Sequence, residues 1–179
     1  MENHYFIGIK IPLPVAQSLV EQRESWGLSS HKRYPVAEDL HITLLFIGAD
    51  PEGEIMAATE ALQGIAHSPF TLKITGTGYF GIKERPGVVY GAIEENDSLN
   101  ALQDKIKTAF SDFNLSPDTK PFVPHITLAN KWAGKDLWEE IPALGPDSFR
   151  AEEFSLFRIE PGSIPRFIAV KTYKLKDGV

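Results

Sequence analysis

The sequence predicts an α+β protein built as two similar lobes that face each other across a cleft, and three observations carry that prediction. The tetrapeptide His41-Ile42-Thr43-Leu44 recurs unchanged as His125-Ile126-Thr127-Leu128. An apolar, strand-like run with a central glycine precedes each copy at a nearly equal offset, Gly8 standing 33 residues before His41 and Gly91 standing 34 before His125. Phe70-Thr71-Leu72 and Phe154-Ser155-Leu156 each begin 29 residues after their histidine. Chance identity at three positions after a shared histidine is roughly a one-in-several-hundred event for an ordinary soluble composition. The common register of the flanks makes internal duplication the simpler account.

Each half reads strand, helix, motif strand, helix, strand. Tyr5-Phe6-Ile7-Gly8-Ile9 is the first strand. From Pro12 to Trp26, a proline in the first turn and apolar residues at Val15, Leu19 and Trp26 predict a short helix. Leu40 to Ile47 is dominated by strong β formers, so the first motif lies on a strand. Asp50-Pro51-Glu52 supplies a cap, a proline and an early acid for a helix whose Ile55, Leu62 and Ile65 face inward. A strand begins at Phe70, and Gly76-Thr77-Gly78 reads as a turn or bulge rather than a dinucleotide fingerprint. Charge, Pro86 and Gly87 interrupt the apolar runs at Lys83 to Gly87, which marks the border between repeats of about 1–83 and 84–179 within a single bilobal domain. Val88 to Ile93 opens the second half as a strand. Asp97 can cap a helix in which Leu99, Leu102, Ile106, Phe110 and Phe113 recur at helical spacing. Val123 to Leu128 carries the second motif on a strand, Ala133 to Ile141 is predicted as a helix, and Arg166 to Tyr173 is a closing strand.

Composition narrows the class. Hydrophobic residues make up 42% of 179, enough for a globular core. No apolar run approaches the roughly eighteen residues of a membrane helix, and Met1-Glu2-Asn3-His4 followed by a short apolar run ending at Lys10 is not a secretory leader. A soluble, cytosolic monomer without a membrane partner is the expectation. The absence of cysteine excludes a disulfide framework, a thiolate nucleophile and a thiolate metal site. The net charge of −6 argues against long duplex nucleic acid, which is held mainly by many lysines and arginines neutralising phosphates. Lys83, Arg85, Lys120, Lys131 and Arg166 remain as cations that could hold a nucleotide or an RNA end locally.

On a strand successive side chains alternate faces, so His41 and Thr43 point one way while Ile42 and Leu44 point the other, and His125 and Thr127 repeat the pattern. Burying Ile and Leu in each lobe leaves two His/Thr faces free to meet. An imidazole with a pKa of about 6.5 exists in both protonation states near neutrality, so one can abstract a proton while the other donates one. Threonine hydroxyls can donate to the non-bridging oxygens of a phosphate held between them. The pattern points to acid/base chemistry on phosphate that needs neither metal nor cofactor.

Two rivals compete with that reading. A lone His-x-Thr on a strand is more often a satisfied packing histidine, yet packing asks only for the Ile and Leu faces. A zinc site wants three or four protein ligands; Asp39 before His41 has no counterpart before His125, where Pro124 stands, and His4, His31 and His67 lack ligand spacing. His31 and His67 read as surface loop histidines. There is no Gly-x-Ser-x-Gly elbow and no Gly-x-x-x-x-Gly-Lys phosphate loop. Tyr34, Phe46, Tyr79 and Phe80 could stack on a base, but aromatics flanking strands are more often core.

In these contexts the chain resembles the 2H phosphoesterases, in particular the bacterial and archaeal RNA 2′,3′-cyclic phosphodiesterase branch, also described as 2′-5′ RNA ligases. The resemblance covers nearly the whole chain. It rests on Tyr5-Phe6-Ile7-Gly8-Ile9, on Leu40-His41-Ile42-Thr43-Leu44-Leu45-Phe46-Ile47-Gly48, on Gly78-Tyr79-Phe80 with Val88-Val89-Tyr90-Gly91, and on Phe122-Val123-Pro124-His125-Ile126-Thr127-Leu128-Ala129. It implies two pseudo-twofold-related antiparallel-sheet lobes with helices outside and a central cleft. It also implies hydrolysis of a nucleoside or RNA-terminal 2′,3′-cyclic phosphate to a 2′-phosphate, with 2′-5′ joining of RNA ends as a side activity. By family analogy His41 is the proton donor to the departing 3′ oxygen, His125 the base that activates water, and Thr43 and Thr127 the phosphate binders. Many members carry an arginine two residues after the second-motif leucine; here Asn130 stands there. Lys131 beside it is the candidate substrate-binding cation, a point charge without the bidentate fork. Two further readings stay open: a phosphodiesterase for another cyclic or 2′-5′-linked substrate, and a non-catalytic module that binds RNA ends or nucleotides.

Overall fold

The computed structural model describes residues 2–115, 117 and 119–177, and among these nine strands and three α-helices follow one another. In chain order they are β1 (His4–Lys10), α1 (Leu13–Ser25), β2 (His31–Arg33), a 3-10 turn (Ala37–Asp39), β3 (His41–Ala49), α2 (Ile55–Leu62), β4 (Phe70–Ile82), β5 (Arg85–Ile93), α3 (Asp97–Phe110), β6 (His125–Trp132), β7 (Asp147–Ala151), β8 (Glu153–Ile159) and β9 (Phe167–Lys174). Every pairing is antiparallel, in the order β7-β4-β5-β6-β3-β1-β8-β9, with β2 added on β6. The α+β class read from the sequence is the one observed. No helix among the described residues is long and apolar enough to cross a membrane.

The helices form where caps and apolar stripes coincide. Pro12 precedes α1, which buries Ala16, Leu19 and Arg23. Asp50 does cap the second helix, its carboxylate accepting from Glu54 N–H at 2.7 Å and Ile55 N–H at 3.0 Å, while Ile55, Ala58 and Leu62 face the core. For α3 the cap is Asn96 rather than Asp97: Leu99 N–H donates to Asn96 Oδ1 at 2.9 Å, and Leu99, Leu102, Ile106 and Phe110 form the buried stripe. Ala133 to Ile141 is not a helix. Leu137 is exposed, so no apolar stripe forms; Trp138 N–H instead donates to Glu84 O, and its indole packs edge-on against Trp132 and His31. That cluster also corrects the surface reading of His31, which is buried between Ser30 Oγ and the Pro86 carbonyl. His67 is buried as well, bridging Ser98 Oγ and Lys105 Nζ.

The strand order interleaves the two sequence halves. Lys83 to Gly87 does not divide lobes, because it turns β4 directly into its partner β5. In return β8, from the second half, pairs with β1 of the first. Between the resulting groups, β7-β4-β5-β6 with β2 and β3-β1-β8-β9, the joint is narrow: β3 and β6 meet at Ile42 opposite Ile126. These are the same position of the duplicated motif, so the local twofold runs between them.

Two matched β-bulges then shape the strands around the joint. Opposite β1, Thr43 pairs with Gly8 and Leu45 with Ile7, leaving Leu44 as the extra residue. Opposite β5, Thr127 pairs with Tyr90 and Ala129 with Val89, leaving Leu128 extra. A bulge shifts the alternation of faces by one, so Phe46 joins Thr43, and Asn130 joins Thr127, on the open face.

Gly8 sits where β1 approaches that joint most closely. A Cβ there would lie 2.8 Å from the Ile42 carbonyl oxygen and 3.2 Å from the Phe6 ring, whereas at Gly91 the nearest atom is 3.5 Å away. Gly8→Ala is therefore expected to cost about 1–3 kcal/mol by overpacking, and Gly91→Ala to be near neutral or slightly stabilising through the unfolded chain. Urea unfolding of the two variants checks this; equal midpoints would refute the close approach.

Candidate active site

Asp39 ends the 3-10 turn that leads into β3, and its backbone carbonyl accepts a hydrogen bond from His41 Nδ1 at 2.7 Å. A carbonyl can only accept, so Nδ1 carries the proton and Nε2 is left for chemistry. Nε2 lies 3.0 Å from Thr43 Oγ1, which donates to it while the ring is neutral. The second histidine repeats the device: His125 Nδ1 donates to the carbonyl of Val123, again two residues upstream, at 2.7 Å.

Aromatic walls hold both rings. His41 stacks on Phe6 at 4.7 Å and meets Phe167 edge-on at 4.8 Å. His125 meets Phe80 edge-on at 4.8 Å and Tyr90 at 5.2 Å. Removing water disfavours the charged form. Burial pushes His41 down to about 4, against the opposing pull of its bond to Asp39, and the nearby His125 lowers it further. Burial also lowers His125, opposed by the Val123 bond. Both imidazoles are thus neutral at pH 7 in the unliganded protein, each with a lone pair on Nε2.

The four motif residues come together on one side of the sheet. Antiparallel pairing of Ile42 with Ile126 brings His41 toward Thr127 and Thr43 toward His125. Two adjoining cavities open there and share Thr43 and Phe46. One, of about 480 Å³, takes in His41, Thr43 and Thr127; the other, of about 590 Å³, takes in His125. The two hydroxyls can donate to one tetrahedral anion, and the two imidazoles, once one of them carries a proton, can exchange protons on opposite sides of it.

The remaining candidates divide. Arg166 lines the first cavity and Lys120 the second, but Lys131, Lys83 and Arg85 line neither. Lys131 is solvent-exposed with a backbone φ of 63°, and the bulge at Leu128 turns Asn130 to the cleft in its stead. Tyr34, Phe46 and Phe80, read as core aromatics, are cavity walls, while Tyr79 is not. Sequence reasoning missed Arg33, which enters the first cavity from the three-residue β2, too short to leave a periodic signal. It also missed the true part of Asp39, whose carboxylate accepts from the backbone N–H groups of Arg166 and Phe167. Among the described residues no three His, Asp or Glu side chains cluster as a metal-holding group.

Known proteins resemble this chain in sequence and in fold. Residues 12–162 match the family model described as the 2′-5′ RNA ligase superfamily. The RNA 2′,3′-cyclic phosphodiesterase of Bacillus subtilis is 31% identical over 176 residues, covering 96% of this chain and 96% of that protein. The protein of the same name from Geobacillus stearothermophilus is 30% identical over 183 residues, covering 97% of this chain and 57% of its own length. Among solved structures, TT0787 of Thermus thermophilus superposes with a TM-score of 0.80 at 26% identity, over 98% of this chain and all of that one (100%). Escherichia coli LigT, crystallised with 3′-AMP, superposes with a TM-score of 0.84 at 23% identity, over 98% and 99% of the two chains.

Proposed function

This chain belongs to the 2′-5′ RNA ligase superfamily, and on that premise we propose that it hydrolyses an RNA-terminal or nucleoside 2′,3′-cyclic phosphate to a 2′-phosphate by metal-independent acid/base catalysis. The observation that carries the reading is the Ile42–Ile126 register, with two identically pinned imidazoles in adjoining cavities that share Thr43. The names of the relatives at about 30% identity support the same substrate class.

In this reading the cyclic phosphate sits between the lobes, with Thr43 and Thr127 hydroxyls donating to its non-bridging oxygens. His125 Nε2 takes a proton from water as the water oxygen attacks phosphorus. His41, protonated on Nε2, gives its proton to the departing 3′ oxygen as the P–O3′ bond breaks, leaving a 2′-phosphate and a 3′-hydroxyl. His41 is neutral in the free protein, so it must gain a proton on binding; the anionic phosphate supplies the opposing charge that raises its pKa. In-line placement between a fixed base and a fixed acid is where most of the rate enhancement arises. With a 5′-hydroxyl in place of water as the attacking group, the same steps join RNA ends through a 2′-5′ bond as a side activity.

The test is turnover of a 2′,3′-cyclic nucleotide in excess EDTA, with the product assigned as 2′- or 3′-phosphate. Undiminished rate and a 2′-phosphate are expected; loss on chelation, or a 3′-phosphate, refutes the mechanism. The same assay across pH tests the proton inventory. The active free enzyme carries one proton on the pair, and both imidazoles are lowered from 6.5, His41 to about 4. The singly protonated form thus becomes more populated only as pH falls below 6.5, and kcat/KM falls as pH rises through and above that value. A kcat/KM still rising above pH 7.5 contradicts that inventory.

A further inference from the structure

The first cavity extends well past the reacting centre, and two cations face into it. Arg33 lies opposite Asn130 across the β2–β6 pair, so the two share a face, and Arg166 enters from the chain just before β9. Among the described residues neither guanidinium makes an ion pair or a side-chain hydrogen bond. The cavity's one carboxylate, Asp39, has both oxygens engaged by the backbone N–H groups of Arg166 and Phe167 at 2.9–3.2 Å. Burial, and then the neighbouring Arg33 charge, push the Arg166 guanidinium below its ordinary value, against the smaller opposing pull of the Asp39 carboxylate. Two guanidiniums facing one cavity against a single carboxylate leave a local excess of positive charge in a protein of net charge −6, an anion site in waiting.

We infer that Arg33 and Arg166 form a subsite for the phosphate one ribose away from the reacting one, so that this chain selects the 2′,3′-cyclic end of an RNA strand over a free nucleoside cyclic phosphate. The inference rests on the hydrolytic reading above for the position of the reacting phosphate. With that phosphate between the two motifs, a nucleotide lying in the first cavity directs its 5′ side toward the guanidiniums. An internucleotide phosphodiester there offers two non-bridging oxygens, which a guanidinium fork matches. A nucleoside with a free 5′-hydroxyl leaves the subsite charged and empty.

The experiment compares kcat/KM for the dinucleotide ApA 2′,3′-cyclic phosphate with that for adenosine 2′,3′-cyclic phosphate, in wild type, Arg33→Gln and Arg166→Gln. The wild type is expected to prefer the dinucleotide by tenfold or more, and each variant to lose most of that ratio, chiefly through KM. Arg33→Lys, which keeps charge without the fork, is expected to retain part of it. Added salt should erode the wild-type ratio and leave that of the variants flat. No preference in wild type, or a ratio within twofold of wild type in both glutamine variants, overturns the subsite. A binding arm separates this from failure of hydrolysis itself: adenosine 3′,5′-bisphosphate should bind more tightly than adenosine 3′-monophosphate by a factor that falls in the same variants. If neither cyclic substrate turns over but that factor behaves as stated, the hydrolytic reading fails and the anion subsite stands; if the factor is unity, the subsite fails.

Discussion

Replacing His41 or His125 with alanine lowers kcat on a 2′,3′-cyclic nucleotide by about a hundredfold or more, the usual cost of losing a positioned general acid or base. The two losses do not add. Acid and base act in one step on one phosphate, so the double variant should be little slower than the worse single one. Folding has to be controlled, because His41 packs against Phe6 and Phe167 and its truncation also removes contacts. His41→Gln keeps much of the volume and should fall in rate like the alanine variant while unfolding close to wild type. The assigned roles can be told apart with an aryl phosphodiester, whose leaving group needs no proton. That substrate should recover much of the rate of His41→Ala and none of the rate of His125→Ala. A single variant within tenfold of wild type on the cyclic nucleotide ends the role assigned to that residue, and rescue in the opposite sense exchanges the two.

His41, Thr43, His125 and Thr127 were legible in the sequence because they obey the simplest rule of a strand, alternation with period two, and because the duplication displays it twice. Much else about the site obeys rules that a single sequence hides. The bulges at Leu44 and Leu128 look like ordinary apolar positions, yet they decide that Phe46 and Asn130, not their neighbours, face the cleft. Lys131 looked like a site residue because it is the cation next to Asn130, where the family resemblance calls for an arginine; the bulge at Leu128 brings Asn130 itself to the cleft. Interleaving of the halves is invisible for a different reason: β4 and β8 keep their register in the chain, but which strand each pairs with depends on tertiary contact alone. Ala133 to Ile141 went the same way, its tryptophan claimed by a distant cluster around His31.

Asp39 is where fold and chemistry meet, and Asp39→Ala is expected to lower stability by about 2–5 kcal/mol. The residue is buried. Its carboxylate accepts from Arg166 N–H at 2.9–3.0 Å and from Phe167 N–H at 3.2 Å, tying the start of β9 to the turn before β3. Truncation leaves two backbone donors without partners, at about 1–3 kcal/mol each, and more where the acceptor was charged. Asp39→Asn keeps one acceptor oxygen but presents an amide donor to the other N–H, so it should fall between alanine and wild type. Activity follows position. Phe167 forms the edge-on wall of the His41 ring, and the Asp39 carbonyl pins Nδ1 of the same ring. Loosening the segment lets that imidazole swing and water reach it, so kcat should drop about tenfold in the folded fraction; relief of burial, the largest cause of the depression, outweighs the lost pull of the Asp39 charge, the smallest, and the pKa of His41 should move back toward 6.5. A merely structural residue would alter the unfolding midpoint and leave the pH profile of the folded enzyme untouched. Asp39→Ala protein within about 1 kcal/mol of wild type in urea, with an unshifted profile, would show that the clamp across the two strands is not what holds His41 in place.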